Sequence, residues 1–332
     1  MKTGELTFTA RNLSQIIHGA GSSGNTTLIR TEKIWNPDEA RVCSVPFISA
    51  NSLKGVLRRA GSHYALEVMG IEPGSLSKPV IDLLFCGGHL TKGGGAVNVS
   101  AARDIGDLFP WLSVCGYSAG NTMERSKLMI DHIHLVCKEN RWRMPEDLRD
   151  SPEAKTPSGQ FRTDTFGVRH DPARDQTIMH YALPADSNTV HERMDANLQA
   201  KTPDKGDSAQ MIYDSQAIAS GALWWGAIHF QRMLPMEMAA LQASLGALIT
   251  TDTPGGGLEF PIAAKRAVGM GRMDAHFQGR LIAVDAPSYS DDSSLLPRRN
   301  EDATHPPSLT AYTEHLRLQK DQIMAAIKGM AT

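Results

Sequence analysis

The order of strand-like and helix-like segments is the feature that most constrains the fold of this chain. Residues 5–17 alternate apolar side chains with threonines, which indicates a strand, and the β-branched run at 26–35 indicates a second one. Further along come helical patterns at 45–70, 75–85 and 99–112, a strand at 127–137, two strand-like runs around Gly221, an apolar helix at 234–250, a strand at 273–284 and an amphipathic helix at 309–330. This order predicts an α+β fold in which helices cover an antiparallel sheet, because a doubly wound parallel sheet would alternate more regularly.

Composition narrows the class of protein. The chain has 332 residues, of which 41% are hydrophobic and 21% charged, and this suits a globular protein with a sizeable core. It has no apolar run of the ~20 residues that a membrane span needs, no apolar leader segment and no C-x-x-C pair among its four cysteines. These features predict a cytoplasmic protein. A formal net charge of -2 means that any attraction to nucleic acid must come from local patches.

A glycine-rich stretch, GAGSSGNT at 19–26, comes within one residue of a phosphate-binding P-loop. Gly19 and Gly24 have the required spacing and Thr26 supplies the hydroxyl, but Asn25 stands where the motif has lysine. The next residues are β-branched and predict a strand, whereas a P-loop must run into a helix whose N-terminal amides hold the phosphate. Both differences argue against nucleotide hydrolysis at this loop.

The stretch VPFISANSLKGVLRRAG, which begins at residue 45, predicts a capped helix with a cationic face. Ser49, Asn51 or Ser52 can cap the helix, and apolar residues recur at helical spacing after it. Lys54 and Arg58 are four residues apart, so they share one polar face, with Arg59 beside them. This arrangement suits a site for backbone phosphates, and an ordinary solvated helix face would look the same.

Two other stretches carry chemistry-bearing side chains. Residues 138–208 are polar and proline-punctuated, which predicts an excursion from the core; within them Phe166, near Arg169, could stack on a base or belong to an ordinary hairpin. His132 and His134 fall on one face of the strand at 127–137. With no third ligand nearby in sequence, a packed or hydrogen-bonded histidine pair is favoured over a metal site.

Four patches together resemble a known family. VPFISANSLKGVLRRAG is similar to the IPGSSLKGALR signature of the CRISPR-associated RAMP superfamily. HGAGSSGN, SQAIASGALWWGAIHF and KRAVGMGRM resemble that family's first glycine loop, its V-P-x-G-x-x-F strand pair and its C-terminal glycine loop, in the same order. The chain looks most like a backbone subunit of the type IV effector complex.

The resemblance implies a fold and a set of partners. The fold would be an RRM-like (ferredoxin-like) palm with helical fingers and an inserted thumb hairpin. The palm would comprise residues 1–137 and 209–285, the thumb 138–208, and a linker with a C-terminal helix 286–332. The implied partners are CRISPR RNA, further copies of the chain in a head-to-tail filament, other effector subunits, and a target that is DNA rather than RNA, with a separate helicase. Phe166 and Arg169 would displace a base at the thumb.

The resemblance also assigns an RNA groove. Cations at two places would neutralise phosphates, while glycines and small polar residues would let main-chain amides approach the strand. The predicted RNA-binding residues are His18, Ser22, Ser23, Asn25, Ser49, Asn51, Ser52, Lys54, Arg58, Arg59, Lys265, Arg266, Gly269, Gly271 and Arg272. Base edges would stay free for pairing with the target.

Catalysis is not expected of such a subunit. Related type III subunits cut target RNA with an aspartate in the first glycine loop, but residues 18–31 of this chain contain no Asp or Glu. We therefore expect no cleavage, no metal and no cofactor. The alternatives are a RAMP endoribonuclease that processes CRISPR RNA, with His18 or His63 as general base, and a P-loop-like hydrolase.

Overall fold

The computed structural model describes residues 1–90, 105–120, 122–169, 211–282, 289–297 and 307–331. Its strands are β1 Lys2–Asn12, β2 Gly19–Ser23, β3 Thr26–Ile29, β4 Thr31–Asn36, β5 Arg41–Ile48, β6 Gly88–Leu90, β7 Tyr117–Gly120, β8 Thr122–Glu124, β9 Leu128–Ile130, β10 Ile133–Leu135, β11 Arg162–Arg169, β12 Met211–Ile218, β13 Leu223–Met233, β14 Thr251–Asp252, β15 Leu258–Pro261, β16 Arg272–Ile282 and β17 Tyr289–Asp291.

The α-helices are α1 Ala50–Val68, α2 Lys78–Ile81, α3 Pro110–Cys115, α4 Pro152–Lys155, α5 Pro235–Leu248, α6 Pro307–Leu318 and α7 Lys320–Ala331. A π-helical turn follows α2 at Asp82–Cys86, and short 3-10 turns lie at Lys138–Arg143, Glu146–Leu148, Ser158–Phe161, Arg266–Val268 and Ser293–Leu295.

The main sheet has the strand order of an RRM-like palm. Its path runs β14-β15-β16-β1-β13-β10-β5-β4. Along the chain, β1, α1, β10, β13, α5 and β16 follow one another, and the spatial order β16-β1-β13-β10 is the antiparallel order of the ferredoxin-like fold. The predicted α+β class with an antiparallel, helix-covered palm is therefore confirmed.

Side-chain alternation in β1 decides which face of this sheet the helices cover. Leu6, Phe8 and Ala10 are buried on the helix side, against the layer formed by α1 and α5. Thr7 and Thr9 point to the opposite face and are only partly covered. Because strand side chains alternate, the second face of the palm carries the polar members of β1.

Residues 138–161 differ from the expectation of an excursion from the core. Met144, Leu148 and Ala154 are buried and form a small apolar cluster with Trp225, which projects from the second face of β13. The polar composition of this segment hides a few widely spaced apolar residues, and these fold over part of the sheet. Of the predicted thumb, 162–169 form β11, and 170–208 lie outside the described residues.

Two predicted elements are interrupted. The single strand expected at 127–137 is split into β9 and β10, because Asp131 and His132 break the ladder, and the two strands pair with different parts of β13. The C-terminal helix is also two helices, α6 and α7, which meet at Gln319. None of the described helices is long and apolar enough to cross a bilayer.

One close helix contact can be tested directly. A Cβ atom on Gly61 of α1 would lie 2.7 Å from Nε1 of the buried Trp111, whereas a Cβ on Gly55 of the same helix would meet nothing closer than Arg59 Nη1 at 4.0 Å. We expect Gly61→Ala to lower the free energy of unfolding by about 1–3 kcal/mol through overpacking. Gly55→Ala should raise it by about 0.5–1 kcal/mol. Urea denaturation of both variants checks this, and equal stabilities would contradict it.

Candidate nucleic-acid interface

The first glycine loop is a β-hairpin. β2 and β3 pair antiparallel up to Ser23 and Thr26, and Gly24 makes the turn with φ +58°. This positive φ belongs to the left-handed region that glycine tolerates, so the turn itself requires glycine at position 24 whether or not a nucleotide binds. A strand and not a helix begins at Thr26, so the loop lacks the loop-to-helix geometry of a P-loop. Ser22, Ser23 and Asn25 are exposed around the turn.

The hairpin continues into the base of the predicted thumb. β3 pairs in parallel with β12, and the backbone N–H of Asp214 donates to the carbonyl of Asn25 at 3.2 Å. β12 in turn pairs antiparallel with β11, so the second sheet has the order β11-β12-β3-β2. Phe166 on β11 is 75% exposed. Its predicted partner Arg169 ends β11, and its side chain lies outside the described residues.

Two histidines and a serine satisfy the first amides of α1. Ser49 is the N-cap, and its Oγ accepts from the N–H of Ser52. The N–H of Ser49 donates to His18 Nε2 at 3.1 Å, and the N–H of Ala50 donates to His132 Nδ1 at 3.0 Å. The helix start is therefore partly closed to an incoming phosphate, while Asn51 remains exposed beside it.

These contacts fix the proton positions on both rings. A backbone N–H can only donate, so His18 Nε2 and His132 Nδ1 must be bare, and in the neutral rings the protons are on His18 Nδ1 and His132 Nε2. Burial, the charge of Arg30 and nearby His132 lower the pKa of His18 to about 4. Burial likewise lowers the pKa of His132. Both imidazoles are thus neutral near pH 7.

The segment 13–18, which we name the bridging segment, joins this helix start to the second glycine loop. In that loop the N–H of Ala264 donates to the Ile17 carbonyl and the N–H of Gly271 to the Gln15 carbonyl, both at 3.0 Å. Gly271 has φ +75°, and a Cβ there would collide with the Ile262 carbonyl. Its glycine is required by this close approach, and Gly269 is exposed with φ +82°.

Lys265 connects the second glycine loop to the thumb base. Its Nζ donates to Ser215 Oγ at 3.0 Å and lies 4.6 Å from the centroid of the Tyr213 ring. The Tyr213 ring packs where a side chain on Gly167 would stand. The structure thus brings together the first glycine loop, the start of α1, the second glycine loop and the base of β11 and β12. Sequence reasoning did not find Tyr213 or Ser215.

The remaining predicted cations have different environments. Arg272 is bound in a bidentate manner by Glu259, with N–O distances of 2.8 and 2.7 Å, so its charge is balanced. Arg266 is exposed, and the described residues offer its guanidinium no ion-pair or hydrogen-bond partner. Arg30, which sequence reasoning missed, donates from Nε to the Gly19 carbonyl at 3.2 Å. It lies five residues after Asn25 in a strand-like run that showed no signal of a site.

Arg58 is not on an exposed polar face, which corrects the sequence-based expectation. It is 8% exposed, and its Nη2 donates to the carbonyls of Cys115 and Gly116 at 3.0 and 2.7 Å. These carbonyls end α3, so Arg58 caps that helix end, where a positive charge is favourable. Lys54, one turn earlier, is half-buried, and burial lowers its pKa. Arg59 is exposed.

His132 and His134, predicted as a packed or hydrogen-bonded pair, pack against each other and are each hydrogen-bonded to a different element. His132 accepts from α1, and His134 Nδ1 lies 3.3 Å from Glu32 Oε1. The two rings pack edge-to-face, with 6.2 Å between their centroids and 61° between their planes. In the part of the chain that the structure describes, no three His, Cys, Asp or Glu side chains are grouped to hold a metal ion.

The comparisons with known proteins identify a fold. No protein-family profile matches this chain, and no curated protein matches it in sequence. The fold is similar to that of one chain in a solved structure titled "Type IV-B CRISPR Complex". The two chains are 17% identical with a TM-score of 0.51, and the alignment covers 90% of this chain and 97% of the other. The likeness therefore extends over nearly the whole of both chains.

Arg58 and Arg59 form a matched pair for a stability test. Arg58→Glu would place a buried carboxylate against two carbonyl oxygens, and we expect a loss of about 3–5 kcal/mol in the free energy of unfolding. Arg59→Glu makes the same charge change on an exposed side chain and should stay within about 0.5 kcal/mol of the parent. Chemical denaturation measures both. A stable Arg58→Glu variant would refute the capping role.

The histidine cap predicts a pH-dependent stability. The pKa of His18 is 6.5 when unfolded and about 4 when folded, so between these values the unfolded state binds more protons. The stabilisation is complete above pH 6.5 and is lost as the pH falls toward 4; its size is on the order of 2 kcal/mol after allowing for partial exposure. His18→Gln keeps an acceptor that does not titrate. The free energy of unfolding of this variant should therefore fall less steeply with falling pH, and the dependence that remains should come from His132.

The control for this titration is Asn51→Ala, an exposed change at the same helix end. Its unfolding free energy, measured by denaturation from pH 7 to 4, should run parallel to that of the parent chain. If the parent and His18→Gln also run parallel, the neutral histidine cap is disproved.

Proposed function

We propose that this chain is a non-catalytic subunit of a CRISPR ribonucleoprotein effector complex, and that it binds CRISPR RNA along the sugar-phosphate backbone. One observation carries the proposal: the four motif patches, far apart in sequence, converge around the bridging segment and the Lys265–Ser215 contact. The fold likeness to a chain of a structure titled "Type IV-B CRISPR Complex" supports the same assignment.

The proposed binding mode is neutral to base sequence. The exposed hairpin turn at Ser22, Ser23 and Asn25 offers small polar groups, and the exposed backbone at Gly269 allows a strand to come close. Lys54, Arg59 and Arg266 supply positive charge that no described carboxylate neutralises. Such a surface holds phosphates and leaves base edges free to pair with a target strand, so that the guide supplies the specificity.

Assembly of many copies along one RNA is part of the proposal. A formal net charge of -2 keeps repulsion between copies low, and one cationic groove for each copy is enough to follow the strand. The exposed Phe166 at the thumb base is placed to contact a base or a neighbouring copy. Other effector subunits, a DNA target and a separate helicase complete the proposed set of partners.

The absence of catalysis is also part of the proposal. His18, the candidate general base of the ribonuclease alternative, already uses Nε2 to accept a main-chain N–H, and Nδ1 carries the proton of the neutral ring, so neither nitrogen is free to take a proton from RNA. The segment 18–31 contains no carboxylate that could assist in-line attack. RNA should therefore remain intact when it is bound.

RNA affinity tests the groove. We expect the double variant Lys54→Glu/Arg266→Glu to bind labelled single-stranded RNA at least about tenfold more weakly, because two attractive phosphate interactions become repulsive. The slope of log affinity against log salt should fall by about 0.7 for each phosphate interaction that the substitutions remove. Fluorescence anisotropy over a salt series measures both quantities. The protein–RNA complex of the parent should also grow in mass as the RNA is lengthened, which mass photometry can follow.

The matched control is Arg317→Glu/Lys328→Glu, which makes the same charge change on exposed positions of α6 and α7. It should bind RNA like the parent. If both double variants lose RNA affinity equally, the loss comes from the change in net charge, and the assigned groove is contradicted. A parent chain that ignores RNA at low salt, or that cleaves it, would overturn the proposal.

A further inference from the structure

A cleft of about 940 Å3 lies on the second face of the palm, away from α1 and α5. Its floor is formed by Thr7 and Thr9 of β1 with Ala227 of β13. β16 makes one wall, and residues 143–149 make the other. The volume falls in the range of small-molecule sites. No residue predicted for the RNA groove lines this cleft.

One row of side chains crosses this face of the sheet. The strand register sets His276 of β16 opposite Thr9, Thr9 opposite Trp225, and Trp225 opposite His134 of β10. Trp225 is held under Met144 and Leu148, and its ring lies 5.1 Å from the ring of His134. Three of the four members are rings, and Thr9 is the gap between two of them.

The gap suits a flat ring. Neighbouring strands are ~4.8 Å apart, so the backbones that carry His276 and Trp225 are separated by about 10 Å across Thr9. A planar heterocycle on Thr9 would contact the imidazole on one side and the indole edge on the other. Such contacts are the usual way in which proteins hold unpaired bases.

The polar groups at the gap are unused. Thr9, His276 and Gln278 line the cleft. Within the described residues, none of their side-chain polar groups (a hydroxyl, an imidazole and a side-chain amide) has a hydrogen-bond partner in the protein. Together they offer both donors and acceptors to the edge of a ring.

The charges around the cleft favour an uncharged ligand. Arg143, Arg149 and Arg280 line it, and Asp131, Glu146 and Asp147 line it as well. Arg143 is already bound to Glu32, and Arg280 has Glu5 at 3.7 Å and Asp291 at 4.0 Å. Since neither sign dominates, the cleft is unsuited to a phosphate and suited to a neutral ring with hydrogen-bonding edges.

We infer that this cleft binds one unpaired nucleobase, seated on Thr9 between His276 and Trp225 and hydrogen-bonded by Gln278. The same chemistry would accept a free nucleoside or a base of a single-stranded RNA. The inference rests on the proposed function only for the strand that supplies the base. It assigns to the palm a base-binding site apart from the backbone groove.

Photo-crosslinking tests the site. The full chain is irradiated with 5-bromouridine, and separately with a single-stranded RNA that contains it, and the labelled peptides are mapped by mass spectrometry. We expect labelling of peptides that contain His276 or Trp225. Thr9→Phe fills the gap with a residue that suits a strand, and His276→Ala removes an exposed ring; each should lower labelling by the nucleoside at least about fivefold.

The groove variant Lys54→Glu/Arg266→Glu separates the two proposals. It should keep nucleoside labelling at the parent level while losing RNA affinity. If the parent chain is labelled by the nucleoside but binds no RNA, the base-binding cleft is supported and the proposed RNA-backbone groove is contradicted. RNA binding with no label near His276 or Trp225, or equal labelling in folded Thr9→Phe, would overturn the inference and leave the proposed function standing.

Discussion

The hydrogen bonds of the bridging segment are the constraint on which the rest of the candidate interface depends. The N–H of Leu13 donates to the Arg272 carbonyl, Ile16 exchanges two main-chain bonds with Ile218 of β12, and the Ile17 carbonyl accepts from Ala264. The His18 ring then accepts from the start of α1. Ile16 and Ile17 are each 1% exposed, so these main-chain groups have no water to replace the bonds. Palm, thumb base and both glycine loops are therefore held in one arrangement.

This arrangement decides which polar groups remain available. Arg272 is paired with Glu259, and Arg58 donates to the carbonyls at the end of α3. The N–H groups of Ser49 and Ala50, at the start of α1, donate to histidines. Lys54 and Arg266 have no described partner. A buried cation that bonds the carbonyls of a helix end contributes to stability, whereas an unpaired cation nearer the surface can contribute to ligand binding. Residues of the same type in the same motif thus have different roles.

Periodicity predicted much of the fold because it reports which side of an element is buried. The alternation of Leu6 and Phe8 with threonines, and the helical spacing after Ser49, follow from contact with one core. α1 lies where the helix was expected, whereas β1 ends at Asn12 and not at residue 17. The fold class followed from the order of such elements. The break between β9 and β10 was missed, because the apolar residues on both sides of Asp131 and His132 fit a single strand, although the two strands pair with different parts of β13.

The sequence by itself determined most of the long elements and their order, since local patterns and turn glycines are properties of neighbouring residues. Only the tertiary structure decided that Arg58 is buried against α3, that residues 138–161 fold over Trp225, and that His276, Thr9, Trp225 and His134 form one row. The physical reason is that burial and cross-strand register depend on residues far apart in the chain. The face of α1 that carries Arg58 is polar in sequence, but it is buried because the end of α3 packs against it.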